Sequence, residues 1–241
     1  MSNSKEDARV LEVRNLKKHF GGVRAVDGVD FTVDAGELVA LIGPNGAGKS
    51  TCFNLINGQL RPDAGEILLD GRNVAGLPPR ELCRLGVGRT FQVAATFSSM
   101  TVRENLKVAV GFTGEVEKLL EQIQMQTLAD HPCSTLAYGD LKRVELGLAL
   151  ATQPRLLLMD EPTAGMAAAE HGALMDLVER LARERKVAVL FTEHDMDVVF
   201  GHADRVLVLA EGKLLAQGMP DEIRAHPQVR AVYLGEEAAD A

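Results

Sequence analysis

The sequence predicts an α/β fold with an inserted helical lobe. Three observations predict it: apolar or β-branched runs set off by turn residues, helical periodicity after several of them, and a mostly helical middle section between two alternating ends. Residues 11–16, 29–33 and 37–42 read as an N-terminal strand set, with Asp34, Ala35 and Gly36 as turn residues between the last two. From Gly48 the apolar positions Phe53, Leu55 and Ile56 follow a helical period, so strand, glycine loop and helix come in direct succession. Thr101 with Glu104 three positions later forms a capping box for a helix over 101–109, and a second helical pattern covers 115–129. Residues 140–152 form an amphipathic helix stopped before Pro154. Residues 156–159 are continuously apolar, as a parallel strand buried on both faces requires. Leu174, Leu177, Val178 and Leu181 line one helical face ahead of a strand over 187–192. Residues 206–209 and 213–217 then make a hairpin around Glu211 and Gly212. The expected organisation is a single domain over 1–241. Its α/β core takes 8–92 and 153–235, its helical lobe 93–152, and its acidic tail 236–241.

Composition bounds the function. Of 241 residues, 46% are apolar and 25% charged, which suits one folded domain and excludes disordered and collagen-like chains. No apolar run approaches the roughly 20 residues of a membrane-spanning helix, and the first ten residues have no apolar secretory segment, so a cytoplasmic location is expected. Cys52, Cys83 and Cys133 lack paired spacing and read as small apolar groups. A net charge of -8 disfavours nucleic acid as a partner, because that affinity comes from clustered Lys and Arg. A few local groups still suffice to bind a small phosphate.

The segment GPNGAGKST supplies such groups: Gly43, Pro44, Asn45, Gly46, Ala47, Gly48, Lys49, Ser50 and Thr51. It matches the P-loop pattern and stands between a predicted strand and a predicted helix. Its glycines let backbone N–H groups face phosphates, the helix N-terminus adds a favourable dipole, Lys49 reaches the β and γ phosphates, and Ser50 can ligate Mg²⁺. At the end of the later buried strand, LLLMDEP places two carboxylates side by side. In a P-loop protein Asp160 belongs near Mg²⁺ and Glu161 is placed to polarise the attacking water.

With further motifs in order over nearly the whole length, the chain resembles the ABC transporter ATPases. Phe20 stands where that family places an aromatic against adenine. Gln92 in GRTFQ matches the Q-loop, which implies a metal and catalytic role, and His194 in FTEHD matches the switch histidine near the γ-phosphate. The signature motif is LAYGD: Leu136, Ala137, Tyr138, Gly139 and Asp140. The resemblance implies a P-loop NTPase core of ABC ATPase type, with an N-terminal antiparallel β subdomain and an inserted helical lobe. It also implies ATP and Mg²⁺ as cofactors, and a signature helix whose N-terminus meets the ATP of the opposite subunit. Implied partners are a second ATPase subunit, identical or different, two transmembrane permease subunits seated near Gln92 and the helical lobe, and a periplasmic solute-binding protein. The protein would then sit peripherally on the inner face of the cell membrane.

The chain departs from the common signature LSGGQ. Ala137 replaces a serine whose hydroxyl would contact phosphate, Tyr138 replaces a glycine, and Asp140 replaces glutamine. In the D-loop, Ala167 stands where many relatives carry Asp, followed by Ala168 and Ala169. Tyr138 is a style of the branched-chain amino acid subfamily, which GRTFQ, EHDM and the closing VYLGEE also resemble. The implied function is ATP hydrolysis driving import of branched-chain or other hydrophobic amino acids. One alternative cargo class is lipopolysaccharide export, which GRTFQ and EHDM disfavour. A second alternative is a hydrolysis-impaired regulatory subunit, motivated by Ala137 and Asp140 and opposed by Glu161 and His194. A soluble ABC ATPase of repair or translation would show a tandem ATPase, a coiled-coil insertion or a basic face.

Overall fold

The structure is a computed structural model that describes residues 8–90, 96–111 and 115–237. Two sheets carry the chain. In the first, β1 (Arg9–Phe20) pairs antiparallel with β2 (Val23–Asp34) and with β4 (Ala64–Leu69), and β5 (Arg72–Asn73) closes the edge. The second contains β3 (Leu38–Ile42), β6 (Val87–Arg89), β7 (Leu156–Asp160), β8 (Ala188–Thr192), β9 (Arg205–Ala210) and β10 (Lys213–Gly218). Its strand order is β10-β9-β3-β8-β7-β6, parallel except for the final hairpin partner β10.

Strand periodicity explains how β3 divides two cores. Leu38, Ala40 and Ile42 point to one face and belong to the core that contains Val102, Leu106, Leu146 and Val178, whereas Val39 and Leu41 point to the other and belong to the core that contains Leu11, Val13, Phe53 and Ile67. Leu157 and Met159 against Leu156 and Leu158 split in the same way on β7. Each such buried aliphatic or aromatic side chain contributes roughly 1.5–3 kcal/mol by leaving water. The ends of β3, β7 and β8 are therefore fixed from both sides.

Helices α1 (Lys49–Ile56) and α2 (Pro79–Arg84) precede β6. Between β6 and β7 lie α3 (Val102–Val110), α4 (Val116–Gln122) and α5 (Tyr138–Ala151). α6 (Ala168–Arg185), α7 (Met196–His202), α8 (Pro220–Ala225) and α9 (Pro227–Glu237) follow. The capping box of α3 forms as its sequence predicts: Thr101 accepts from the Glu104 amide at 3.2 Å, and the Glu104 carboxylate accepts from the Thr101 amide at 2.8 Å. Among the described residues, no helix is long and apolar enough to cross a membrane.

Three expectations are corrected. The segment 37–42 does not join the N-terminal strand set; as β3 it is wholly buried at the middle of the parallel sheet. The helix expected over 115–129 stops at Gln122. Gln124 takes a left-handed φ of 60°, and a short 3₁₀ turn, Gln126–Leu128, follows. The break lets Ile123, Met125 and Ala129 all enter the core, which a straight helix with 100° between successive residues prevents. The helix expected from Asp140 begins two residues earlier, at Tyr138. Glu236 and Glu237 of the expected acidic tail end α9, and the rest of that tail lies outside the described residues.

Candidate active site

The loop after β3 is built around backbone contacts that exclude side chains. Gly43 has φ 151°, and a β-carbon there would stand 2.2 Å from the Leu209 carbonyl oxygen. Gly48 has φ 102°, and its β-carbon would stand 2.1 Å from the Ala25 carbonyl oxygen. Gly48 also precedes α1 with no side-chain cap, which leaves first-turn N–H groups for a ligand. The Lys49 ammonium folds back over the loop and donates to the carbonyls of Gly43 and of Pro44, the latter at 3.1 Å.

β7 and β8 deliver the acidic groups to the same place. Asp160 pairs in register with Thr192, whose hydroxyl donates to Asp160 Oδ1 at 2.7 Å and accepts from the Glu161 amide at 3.2 Å. The Arg89 guanidinium lies 3.5 Å from Asp160 Oδ2. Glu161 has the left-handed φ of 49°, a conformation costing about 1–3 kcal/mol in a non-glycine residue. Its amide, donating to the Thr192 carbonyl at 3.1 Å, and the Ala164 amide, donating to the Glu161 carbonyl at 3.1 Å, hold that turn. His194 Nε2 stands 3.1 Å from Glu161 Oε1, and because a carboxylate only accepts, the hydrogen is on Nε2.

A cavity of about 580 Å³ collects these parts. Asn45, Gly46, Ala47, Gly48, Lys49, Ser50 and Thr51 line one side, with Asp160, Glu161, Thr192 and His194 opposite. Gly43 and Pro44 stand behind the loop as acceptors for Lys49. Val23, Arg24, Ala25 and Glu211 complete the lining. Phe20 is half-exposed at the end of β1 and is not among the lining residues; the Lys18 ammonium sits 5.6 Å from its ring centroid. Gln92 lies outside the described residues.

Leu136, Ala137, Tyr138, Gly139 and Asp140 do not line this cavity either. They open α5, whose N-cap residue Ala137 is exposed and carries no capping oxygen, so the first turn again presents N–H groups outward. Two loop-to-helix turns thus open helices in one chain, and only the first has Asp160, Glu161 and His194 across a shared cavity from it. Sequence reasoning missed Thr192 and Arg89, the two partners of Asp160. Thr192 directly precedes the Glu193-His194-Asp195 run, the signal that could have drawn attention to it.

A glycine loop at a buried strand end, a lysine over it, and two carboxylates with a histidine across the cavity define a nucleotide-hydrolysing P-loop protein. A family model described as "ABC transporter" matches residues 26–164, and another described as "Branched-chain amino acid ATP-binding cassette transporter" matches residues 213–239. The high-affinity branched-chain amino acid transport ATP-binding protein BraF of Pseudomonas aeruginosa is 39% identical over 94% of this chain and 98% of its own. A crystal structure of an ABC transporter's ATP-binding cassette in its ADP conformation superposes with a TM-score of 0.86 at 32% identity, covering 94% of this chain and 99% of that one. A bacterial ABC transporter cassette solved as a dimer gives 0.74 at 26% identity, over 87% and 98%. The chain belongs to the ABC transporter family, and it is an ATP-binding, ATP-hydrolysing subunit of that family.

Proposed function

We propose that the cavity between the P-loop and the ends of β7 and β8 is the ATP site, and that hydrolysis there drives import of branched-chain or other hydrophobic amino acids. One observation carries the catalytic part: Glu161 and His194, distant in sequence, meet at 3.1 Å across the cavity from Lys49 and Ser50. In this reading residues 43–51 bind the phosphates through backbone N–H groups, and Lys49 exchanges its two carbonyl partners for β and γ oxygens. Glu161 orients and deprotonates the water, and His194 donates to the γ-phosphate. Phe20 lies against the adenine.

The donor set suits Mg²⁺, because the Ser50 hydroxyl and the Asp160 carboxylate are hard oxygen ligands on one cavity. Gln92 would complete the set. A bound ion would supply positive charge that offsets the negative charge developing on the phosphates. Thr192 fixes the Asp160 carboxylate for that duty through its 2.7 Å hydrogen bond.

The signature residues Leu136 to Asp140 then complete the site of a second ATPase subunit, consistent with their position outside this chain's own cavity. The permease subunits would dock on an apolar groove of about 470 Å³ between α2, β6 and α5, lined by Leu82, Cys83, Val87, Leu148 and Ala149. It adjoins Thr90, two residues before Gln92. A periplasmic binding protein would deliver the solute, and the subunit would lie on the inner face of the membrane. The match of residues 213–239 favours amino acids over lipopolysaccharide as cargo.

Reconstituted transporter in vesicles tests the proposal. ATP inside should drive uptake of leucine, isoleucine or valine, and a thiol crosslinker at the exposed Cys83 should capture a permease. ATP hydrolysis without uptake of any hydrophobic amino acid would overturn the cargo assignment.

A further inference from the structure

The turn that follows Glu161 and the segment that carries His194 leave adjacent strands side by side, and two side chains bind them together. Glu193, only 5% exposed, accepts at Oε1 from the amide of Thr163 (2.8 Å) and from its hydroxyl (2.6 Å). Its Oε2 accepts from the amide of His194 at 3.1 Å. The second side chain is His171, on the first turn of α6. Its Nδ1 lies 2.9 Å from Asp195 Oδ2 and its Nε2 lies 3.2 Å from the Met166 carbonyl oxygen. Because the Met166 amide donates to the Thr163 carbonyl at 3.1 Å, the connections close into a ring through residues 163, 193, 194, 195, 171 and 166.

Both partners of His171, a carboxylate and a carbonyl, can only accept. A ring nitrogen that bonds either of them does so as the donor. Asp195 supplies the carboxylate at the Nδ1 side of the ring. That carboxyl is held below its usual range, chiefly by the His171 hydrogen bond. The other Asp195 oxygen caps α7, accepting from the amides of Asp197 at 3.0 Å and Val198 at 3.3 Å. Ala167, Ala168 and Ala169 offer no polar side chain for the same purpose. On the far side of the turn, a β-carbon at Gly165 would stand 3.1 Å from the Tyr138 ring, so Tyr138 of the signature lies close against the turn 163–166.

We propose that His171 is a positioning residue for ATP hydrolysis, tying the turn 163–166 to the switch segment 193–195 so that His194 and the surface under Tyr138 move as one body. His171 is not among the residues that line the cavity. It sets where His194 stands against Glu161, and a shift at the signature face is passed to that pair through it. The inference rests on the reading of Glu161 and His194 as catalytic.

The test is steady-state ATP hydrolysis by the assembled transporter, with His171→Ala, His171→Asn, His171→Gln and Glu161→Gln beside the parent. Asn places an amide nitrogen near the Nδ1 position and keeps the Asp195 bond; Gln reaches the Nε2 position and keeps the Met166 bond. His171→Ala should lower kcat about tenfold, the scale of one charge-assisted hydrogen bond, with the KM for ATP held within about twofold. Asn and Gln should each fall between Ala and parent. If His171→Ala does not fold, the Asn and Gln variants decide, since each must still lower kcat. Parental kcat in the His171 variants with a slow Glu161→Gln would overturn the tie alone. Full rescue by either Asn or Gln would also overturn it, because packing would then account for the loss. A Glu161→Gln enzyme at the parental rate would overturn the catalytic reading, and this inference with it.

Discussion

The P-loop and the signature turn each present the start of a helix, α1 and α5, yet the chain surrounds them in opposite ways. At the P-loop, the carbonyls of Leu209 and Ala25 crowd Gly43 and Gly48 so closely that no β-carbon fits at either, and the ends of β7 and β8 place carboxylates and a histidine opposite. At the signature, Ala137 and Tyr138 are exposed, and the nearest atoms a β-carbon at Gly139 would meet are those of the Glu170 carboxylate, at 3.3 Å. One turn is finished within the chain, and the other is shaped to be finished by something outside it. On the proposed reading, two copies of this arrangement, or one copy and a relative, would make two ATP sites at an interface, each using a different half of each subunit.

Breaking the P-loop half should have the largest effects. On the proposed reading, Lys49→Ala removes a charge-assisted contact to β and γ phosphate, so ATP-dependent uptake should be abolished and hydrolysis should fall by at least about 10²-fold. Vesicle transport assays measure this directly. Unchanged ATP affinity together with unchanged transport would remove the P-loop from the mechanism.

A matched pair of glycine substitutions sharpens the same contrast. Gly48→Ala combines a left-handed φ with a 2.1 Å approach to a carbonyl oxygen. It should cost roughly 3 kcal/mol, read as a lower Tm and lost nucleotide binding. Gly139→Ala sits in a helical turn and should stay within about 1 kcal/mol of the parent. Comparable losses in both variants would mean that the two turns are not built differently.

Glu161→Gln should retain ATP binding while slowing hydrolysis by roughly 10²-fold, the scale expected for losing a general base. Parental hydrolysis in the assembled complex would shift the catalytic role toward His194.

The smallest effect belongs to the signature. If the signature turn faces phosphate as proposed, Ala137→Ser adds one hydroxyl to it and should accelerate the complex by up to about tenfold. The Asp140 charge beside the same phosphate limits that gain, so Ala137→Ser with Asp140→Gln should exceed either single change. No acceleration in any of the three would show that the backbone donors around Gly139 already suffice.

Legibility in the sequence followed the range of the interactions. The P-loop, the Asp160-Glu161 pair and the Thr101 capping box are local: a few consecutive residues fix both the conformation and its chemistry. The continuously apolar run 156–159 announced a doubly buried strand because its pattern has no polar side. The same logic misplaced 37–42, since a short run can join either of two sheets, and only the parallel pairing of Val39 and Ala40 with β8 and β9 decides. The helix over 115–129 failed for a related reason. Its apolar spacing suits a helix locally, but the core around Ile123 and Met125 demands a break at Gln124, a tertiary requirement that outweighs propensity. Thr192, Arg89 and His171 were not legible, because their roles come from partners 32, 71 and 24 positions away. Resemblance supplied the order of the motifs, and geometry supplied the contacts between them.

The central claim is that this chain's signature turn belongs to an ATP bound by another subunit. A photoreactive ATP analogue bearing its label on the γ-phosphate addresses that claim directly, with crosslinked peptides mapped in the assembled transporter and in the isolated chain at high dilution. The P-loop should be labelled in both samples, and residues 136–140 only in the assembled complex. Equal labelling of 136–140 in the dilute isolated chain, or none in the complex, would contradict the account.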